Sequence, residues 1–105
     1  MSPDELKQRI ESDHAPLLID VRDSEKFEAA HLPGAQHIPL AELPDHLEPL
    51  RTAGPVLVYC TTGGKCSRAL ALLKENGFDD AEMLDGGLSA WSGPTESTSS
   101  AQRNP

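Results

Sequence analysis

The stretch VLVYCTTGGKCSR, residues 56 to 68, combines three local instructions in thirteen positions. Val56 to Tyr59 is an unbroken apolar run introduced by Gly54 and Pro55, which predicts a short strand covered on both faces. Ser67 to Asn76 carries Ala69, Leu70, Leu72 and Leu73, with Gly77 as the expected C′ residue, and predicts a helix. Between them lies a loop with two glycines, entered through Cys60 and left at Cys66. A buried strand therefore delivers a cysteine directly into a turn that feeds a helix.

The same alternation extends in both directions. Upstream, Ser2, Pro3, Asp4 and Glu5 form a capping box with proline at the first helical position, leading into Leu6 and Ile10. Pro16 introduces Leu17 to Val21, a second strand of the buried type. Ser24 opens a helical turn anchored by Phe27, Pro33 and Gly34 break it, and Ala35 to Ile38 gives a brief strand. Leu40, Leu43, Leu47 and Leu50 recur at helical spacing, but Pro44 among them limits that helix to a short one. Downstream, Ala81 to Leu84 is a last strand, and Gly86, Gly87, Leu88, Ala90 and Trp91 form a final turn and helical segment. Strands alternating with helices, joined by connections too long for hairpins, predict an α/β fold with a central, mostly parallel sheet and helices on both faces. Ligands of such sheets sit beyond the carboxyl ends of the strands, where Cys60 falls.

Composition narrows the function. The chain has 105 residues with 17 acidic and 9 basic side chains, a net charge of -8 and a pI near 4.8. That is one domain's worth of chain, able to hide roughly 60–65% of its unfolded surface. From Ser92 onward the residues are small and polar, so a folded domain is expected over residues 1–92 and a disordered tail or linker over 93–105; the chain is open to being part of a longer protein. No internal repeat is present. The acidic balance argues against nucleic acid or an anionic membrane as the main partner. Asp4, Glu5, Lys7 and Arg9 exclude the apolar core of a signal peptide or a membrane span from the first ten residues, which makes a cytoplasmic location the expectation. Two cysteines supply neither a thiolate zinc cage nor a disulfide framework, and thiol chemistry stays open; no metal is expected, and a cysteine nucleophile acting alone would need no organic cofactor.

Three effects converge on the Cys60 sulfur. Gly63 and Gly64 let the backbone curl so that successive amides can point inward, the following helix contributes its positive end, and Lys65, with Arg68 nearby, adds full charge. Each favours thiolate over thiol, lowering the cysteine pKa below its free value of about 8.5. The alternative is a buried strand-end cysteine with no chemistry. A glycine pair and a cation at a strand-to-helix junction favour the nucleophile.

In order along the chain, Ile19, Asp20, Val21 and Arg22, Phe27, His31 to Ala35, Ile38 to Leu40, Tyr59, Cys60 and Gly63, Gly77 and Phe78, and Leu84, Gly86, Gly87, Ala90 and Trp91 resemble the pattern of rhodanese domains. The resemblance covers about residues 3 to 92. It implies a small rhodanese-like α/β domain and thiosulfate sulfurtransferase-like chemistry. In that chemistry Cys60 takes the outer sulfur of a small anionic donor such as thiosulfate, becomes a persulfide, and yields the sulfur to a thiol or cyanide acceptor. Thr61, Thr62, Gly63, Gly64, Lys65 and Cys66 would form the substrate and persulfide cradle, with Asp20 and Arg22 as a supporting charged pair beside the floor of the site. Similar sulfurtransferases have a six-residue loop and related phosphatases a seven-residue one; Cys60 to Lys65 counts six, with Cys66 starting the helix, which disfavours phosphatase activity. A persulfide carrier or protein-binding module that hands sulfur to a partner protein is the alternative class.

Two positions depart from the pattern. Many relatives have arginine where Lys65 stands and serine where Cys66 stands. Lys65 is a point charge that holds anions less specifically. Cys66 reads either as a small residue occupying a serine's place or as a resolving thiol; the separation from Cys60 is not a C-x-x-C spacing. Asp20 and Arg22 read as a structural ion pair or as groups that shape the site. His14 and His46 read as surface residues, His37 falls in the brief strand, and His31 is read as holding its turn by hydrogen bonds. Trp91 reads as a core anchor, and Gly86 with Gly87 as the site of a close backbone approach.

Overall fold

The structure is a computed structural model that describes residues 1–62 and 64–97; Gly63 and residues 98–105 lie outside the described residues. Helix α1 spans Pro3–Glu11, and the Ser2 half of its capping box forms, the Ser2 side chain accepting from the Glu5 amide at 3.2 Å, while the Glu5 carboxylate accepts from Arg9 at 3.2 Å. Strand β1 is Leu17–Asp20, helix α2 Ser24–Ala29 and strand β2 Gln36–His37. The leucine-spaced segment divides in two: a 3₁₀ turn over Leu40–His46, holding Pro44, then helix α3 at Leu47–Arg51. Strand β3 is Val56–Tyr59, helix α4 Gly64–Glu75 and strand β4 Glu82–Met83, followed by a 3₁₀ turn at Leu88–Ala90.

The four strands form one sheet in the order β2-β1-β3-β4, with every neighbouring pair parallel. All four residues of β3 are buried, so both faces of the sheet are covered. The core runs from Leu6 through Leu18, Ile19 and Val21 to Leu57, Val58, Leu73 and Leu84. Chain order reverses between β1 and β3, because β1 is followed by a strand on one side and β3 by a strand on the other. The crevice beyond their carboxyl ends is therefore the topological switch point of the sheet. Register places Asp20 opposite Tyr59, so the residues leaving β1 and those leaving β3 enter that crevice side by side. Among the described residues, no helix is long and apolar enough to cross a membrane.

Two expectations about element limits need correction. Cys66 does not start the helix: α4 begins at Gly64, which puts Lys65 and Cys66 in its first turn. The reason is packing, since Cys66, Ala69 and Leu73 are its buried residues and continue one apolar stripe at spacings of three and four. The expected tail begins as an ordered segment. His31 and Glu96 exchange both backbone hydrogen bonds, at 2.9 and 2.8 Å, and Ser97 Oγ donates to the Glu28 carbonyl at 2.9 Å. The rest of the expected tail, residues 98–105, lies outside the described residues.

Candidate active site

Cys60 is the first residue beyond β3 and is 3% exposed. It reaches a cavity of about 250 Å³ lined by Arg22 and Lys26 from the β1 side and by Cys60, Thr61, Thr62, Gly64 and Lys65 from the loop. Three of those residues are cations, and no acidic side chain lines the cavity among the described residues, in a chain of net charge -8. The sequence reading anticipated all of these except Lys26. Its signal was present: a lysine four residues after Arg22, in the helix that follows β1, lies on the carboxyl side of the sheet. Arg68 is exposed on α4 and does not line the cavity. Gly63 lies outside the described residues.

Beneath the cavity, Asp20 and Arg22 form a buried pair. Arg22 Nε lies 3.0 Å from both Asp20 oxygens, its Nη2 donates to Oδ2 at 2.6 Å, and its backbone amide donates to Oδ1 at 2.9 Å. Nη2 also donates to the Ala30 carbonyl, and the guanidinium lies 5.7 Å from the Tyr59 ring centre. Burial works against the Arg22 charge, but the hydrogen bonds and charge of Asp20 outweigh it and hold the pKa above its ordinary value. Burial likewise pushes the Tyr59 hydroxyl up, and that oxygen accepts from the Leu32 amide at 2.9 Å. Asp20 does not line the cavity; it fixes the residue that does.

The loop is clamped from the far side by the Gly86–Gly87 turn. The amides of Leu88 and Ser89 donate to the Cys60 and Thr61 carbonyls at 2.7 and 2.9 Å. Gly87, at φ +65°, sits so close that an added Cβ would lie 2.6 Å from both of those oxygens. This is the close backbone approach expected of the glycine pair, and it bears on the backbone of Cys60 itself.

Cys66 is fully buried behind Cys60 and lines no part of the cavity. Its Sγ donates to Cys60 Sγ at 2.9 Å, and both cysteines are free thiols. Burial, with the adjoining Cys60 sulfur, pushes the Cys66 thiol up. His31 is buried, and its Nδ1 donates to the Phe27 carbonyl at 2.7 Å, so it holds its turn as expected. His37 Nε2 donates to the Arg22 carbonyl at 2.7 Å. Both imidazoles stack near Phe27, with ring centres 4.0 and 4.7 Å away, an arrangement that sequence spacing does not reveal. His14 and His46 are exposed. Trp91 is half-buried against the core, and its Nε1 donates to the Pro94 carbonyl at 3.0 Å.

These features define a class: a parallel α/β domain with a cysteine at the floor of a cation-lined cavity at its switch point. The family model for the Rhodanese-like domain matches residues 2–94, and the chain belongs to that family. YrkF of Bacillus subtilis, a candidate sulfur carrier protein, is 32% identical over 96 residues, covering 91% of this chain and 52% of its own length. YqhL of the same organism, a protein without an assigned activity, is 40% identical over 76 residues, 72% of this chain and 60% of that protein. The chain thus spans little more than half the length of either. The thiosulfate sulfurtransferase GlpE of Pseudomonas fluorescens is 34% identical over 91 residues, 80% of this chain and 84% of GlpE. Among solved structures, the rhodanese-like domain of an Anabaena sp. protein superposes with a TM-score of 0.83 at 30% identity, covering 100% of this chain and 84% of that one. A rhodanese-like domain protein from Staphylococcus aureus gives 0.84 at 28% identity, covering 92% and 95%.

Proposed function

We propose that the domain is a sulfurtransferase that moves a sulfane sulfur from thiosulfate or a similar small anion to a thiol or cyanide acceptor through a Cys60 persulfide. One observation carries the reading: Cys60 lines a small cavity together with Arg22, Lys26 and Lys65, and its sulfur receives a hydrogen bond from a second thiol behind it. Cations and an S–H donor both favour the thiolate, which is the attacking form. Thr61, Thr62 and Gly64 complete the cradle around the outer sulfur, in the electrostatic role that amide donors play toward a developing anion.

The thiolate attacks the outer sulfur of thiosulfate, the S–S bond breaks with its electron pair on sulfite, and Cys60 carries the transferred sulfur. An acceptor thiolate or cyanide then attacks that sulfur and restores the Cys60 thiolate, a two-step exchange with ping-pong kinetics. Asp20 holds the Arg22 guanidinium at the cavity wall, and the Gly86–Gly87 turn holds the Cys60 backbone. Two free thiols in contact suit a reducing compartment such as the cytoplasm. Likeness to a thiosulfate sulfurtransferase over most of both chains supports the donor class.

The test is intact mass after incubation with thiosulfate, for the wild type and Cys60→Ser, followed by turnover with cyanide. A gain of one sulfur that disappears in Cys60→Ser, with sustained thiocyanate production, is the expected result. Loading without turnover on cyanide or on a small thiol offered in its place would replace the enzyme reading with that of a carrier serving a partner protein. Absence of loading would remove sulfur chemistry from Cys60 altogether.

A further inference from the structure

We infer that Cys66 is a second reacting thiol, which closes on the inner sulfur of a Cys60 persulfide, forms a Cys60–Cys66 disulfide and expels the outer sulfur as hydrosulfide. The inference rests on the persulfide reading above and adds an activity to it: release of sulfide when no external acceptor arrives.

Position is the first argument. The two sulfurs are 2.9 Å apart, inside ordinary van der Waals contact, and a disulfide near 2.05 Å requires a further approach of only about 0.9 Å. Cys66 lies in the first turn of α4 and Cys60 in the residue after β3, so the helix start needs to shift only slightly against the strand end.

Direction is the second. Cys60 opens onto the cavity, whereas Cys66 is fully buried and lines no part of it. A donor entering the cavity meets Cys60 and not Cys66, so the outer sulfur is added to Cys60 while Cys66 stays in contact with the inner one. Thiol–disulfide exchange requires the attack of Cys66 to run in line with the departing outer sulfur.

The proton balance starts from the resting state. The Cys66 thiol, raised by burial, donates its S–H to Cys60 and stays protonated while Cys60 acts on the donor. Once the persulfide has formed, negative charge moves to the outer sulfur. The Cys66 proton passes to water as its sulfur attacks, and the departing sulfur takes a proton from water on the cavity side as the new S–S bond forms. Cys60–S–S⁻ and Cys66–SH become the Cys60–Cys66 disulfide and HS⁻, with the outer sulfur reduced and Cys66 oxidised. Atoms, charge and electrons balance without an added oxidant. Return to the dithiol requires an external reductant, a small dithiol being the suitable class.

The test loads the whole chain with thiosulfate under anaerobic conditions, removes the donor, and follows intact mass and free sulfide with time, for wild type, Cys66→Ser and Cys66→Ala. The wild type is expected to pass from one sulfur heavier to two hydrogens lighter, releasing one hydrosulfide per protein at a rate independent of protein concentration. With only two cysteines in the chain, a monomer of that mass can only hold the Cys60–Cys66 bridge. Cys66→Ser, which keeps a hydroxyl donor, and Cys66→Ala, which loads more slowly for want of one, are both expected, once loaded, to keep their sulfur at least tenfold longer. A wild-type persulfide that persists as long as the variants', with no lighter form, overturns the inference and leaves sulfur transfer standing. Failure of the wild type to load overturns sulfur transfer and this inference together.

Discussion

The central strands end in a cavity on each side. At the amino end of β3 a space of about 400 Å³ is lined by Arg51, Pro55, Val56, Phe78 and Asp80 among others, while the space beside Cys60 at the carboxyl end measures about 250 Å³. In the larger one the cation is already engaged: Arg51 donates to Glu48 at 2.9 Å and to the Asn76 carbonyl at 2.6 Å, and lies 5.2 Å from the centre of the Phe78 ring. In the smaller one, Arg22 and Lys65 are paired with Asp20 and Asp23, but those carboxylates do not line the space, and Lys26 adds a third cation beside Cys60. All strands of the sheet are parallel, so the helices that follow β1 and β3 begin on the carboxyl side and turn their positive ends toward it. The amino side receives helix C-termini and their carbonyls. Strand direction, more than volume, decides which cavity can hold an anion.

The sharpest way to break this contrast is at the buried pair. Replacing Arg22 with Met leaves the Asp20 carboxylate buried without its partner and is expected to cost about 3–5 kcal/mol in chemical denaturation. It should also abolish measurable sulfur loading, because one wall of the cavity goes with it. Next comes Gly87→Ala. The added methyl meets the Cys60 and Thr61 carbonyl oxygens in a backbone conformation that alanine disfavours, and a loss of about 2–4 kcal/mol is expected, with slower loading as the Cys60 backbone shifts. A loading rate equal to wild type in a folded Gly87→Ala protein would show that the clamp does not set the position of the thiol.

Smaller effects follow from the rim. Lys26→Gln and Lys65→Gln are each expected to raise the thiosulfate KM about 2–5-fold, with the effect fading as salt increases. Lys65 shares its charge with Asp23 at 3.5 Å, so Lys26 should show the larger of the two. The control lies at the opposite end of the strands. Arg51→Ala should cost no more than ~1 kcal/mol and leave sulfur loading unchanged. Altered loading there would remove the distinction between the two cavities.

Much of this molecule was legible along the chain because its signals are local. The strand Val56–Tyr59 is a run of buried residues between Pro55 and Cys60, and the cap on α1 is made by Ser2 and Glu5 three residues apart. The strand-to-helix loop needed only its own residues to suggest a nucleophile. Lys26 is less legible: its place in the helix after β1 puts it on the carboxyl side of the sheet, but only the pairing of β1 with β3 brings it beside Cys60. The start of α4 was read two residues late because serine and cysteine near glycines resemble a loop, whereas the buried stripe of Cys66, Ala69 and Leu73 belongs to the helix. The ordered segment at Glu96 was missed for a similar reason: its backbone pairs with His31, sixty-five positions earlier, and its own composition gives no sign of that.

By itself, then, the order of residues determined the alternation of strands and helices, the cysteine at a strand end and the glycine-bearing turn after it, since each depends on periodicity or backbone freedom within a few positions. Tertiary structure alone decided that Asp20 and Arg22 sit under that turn, that Gly87 presses on the carbonyls of Cys60 and Thr61, and that two thiols six residues apart touch. Those contacts depend on strand register and helix phase, which are set by burial of the whole core and not by any single stretch of chain.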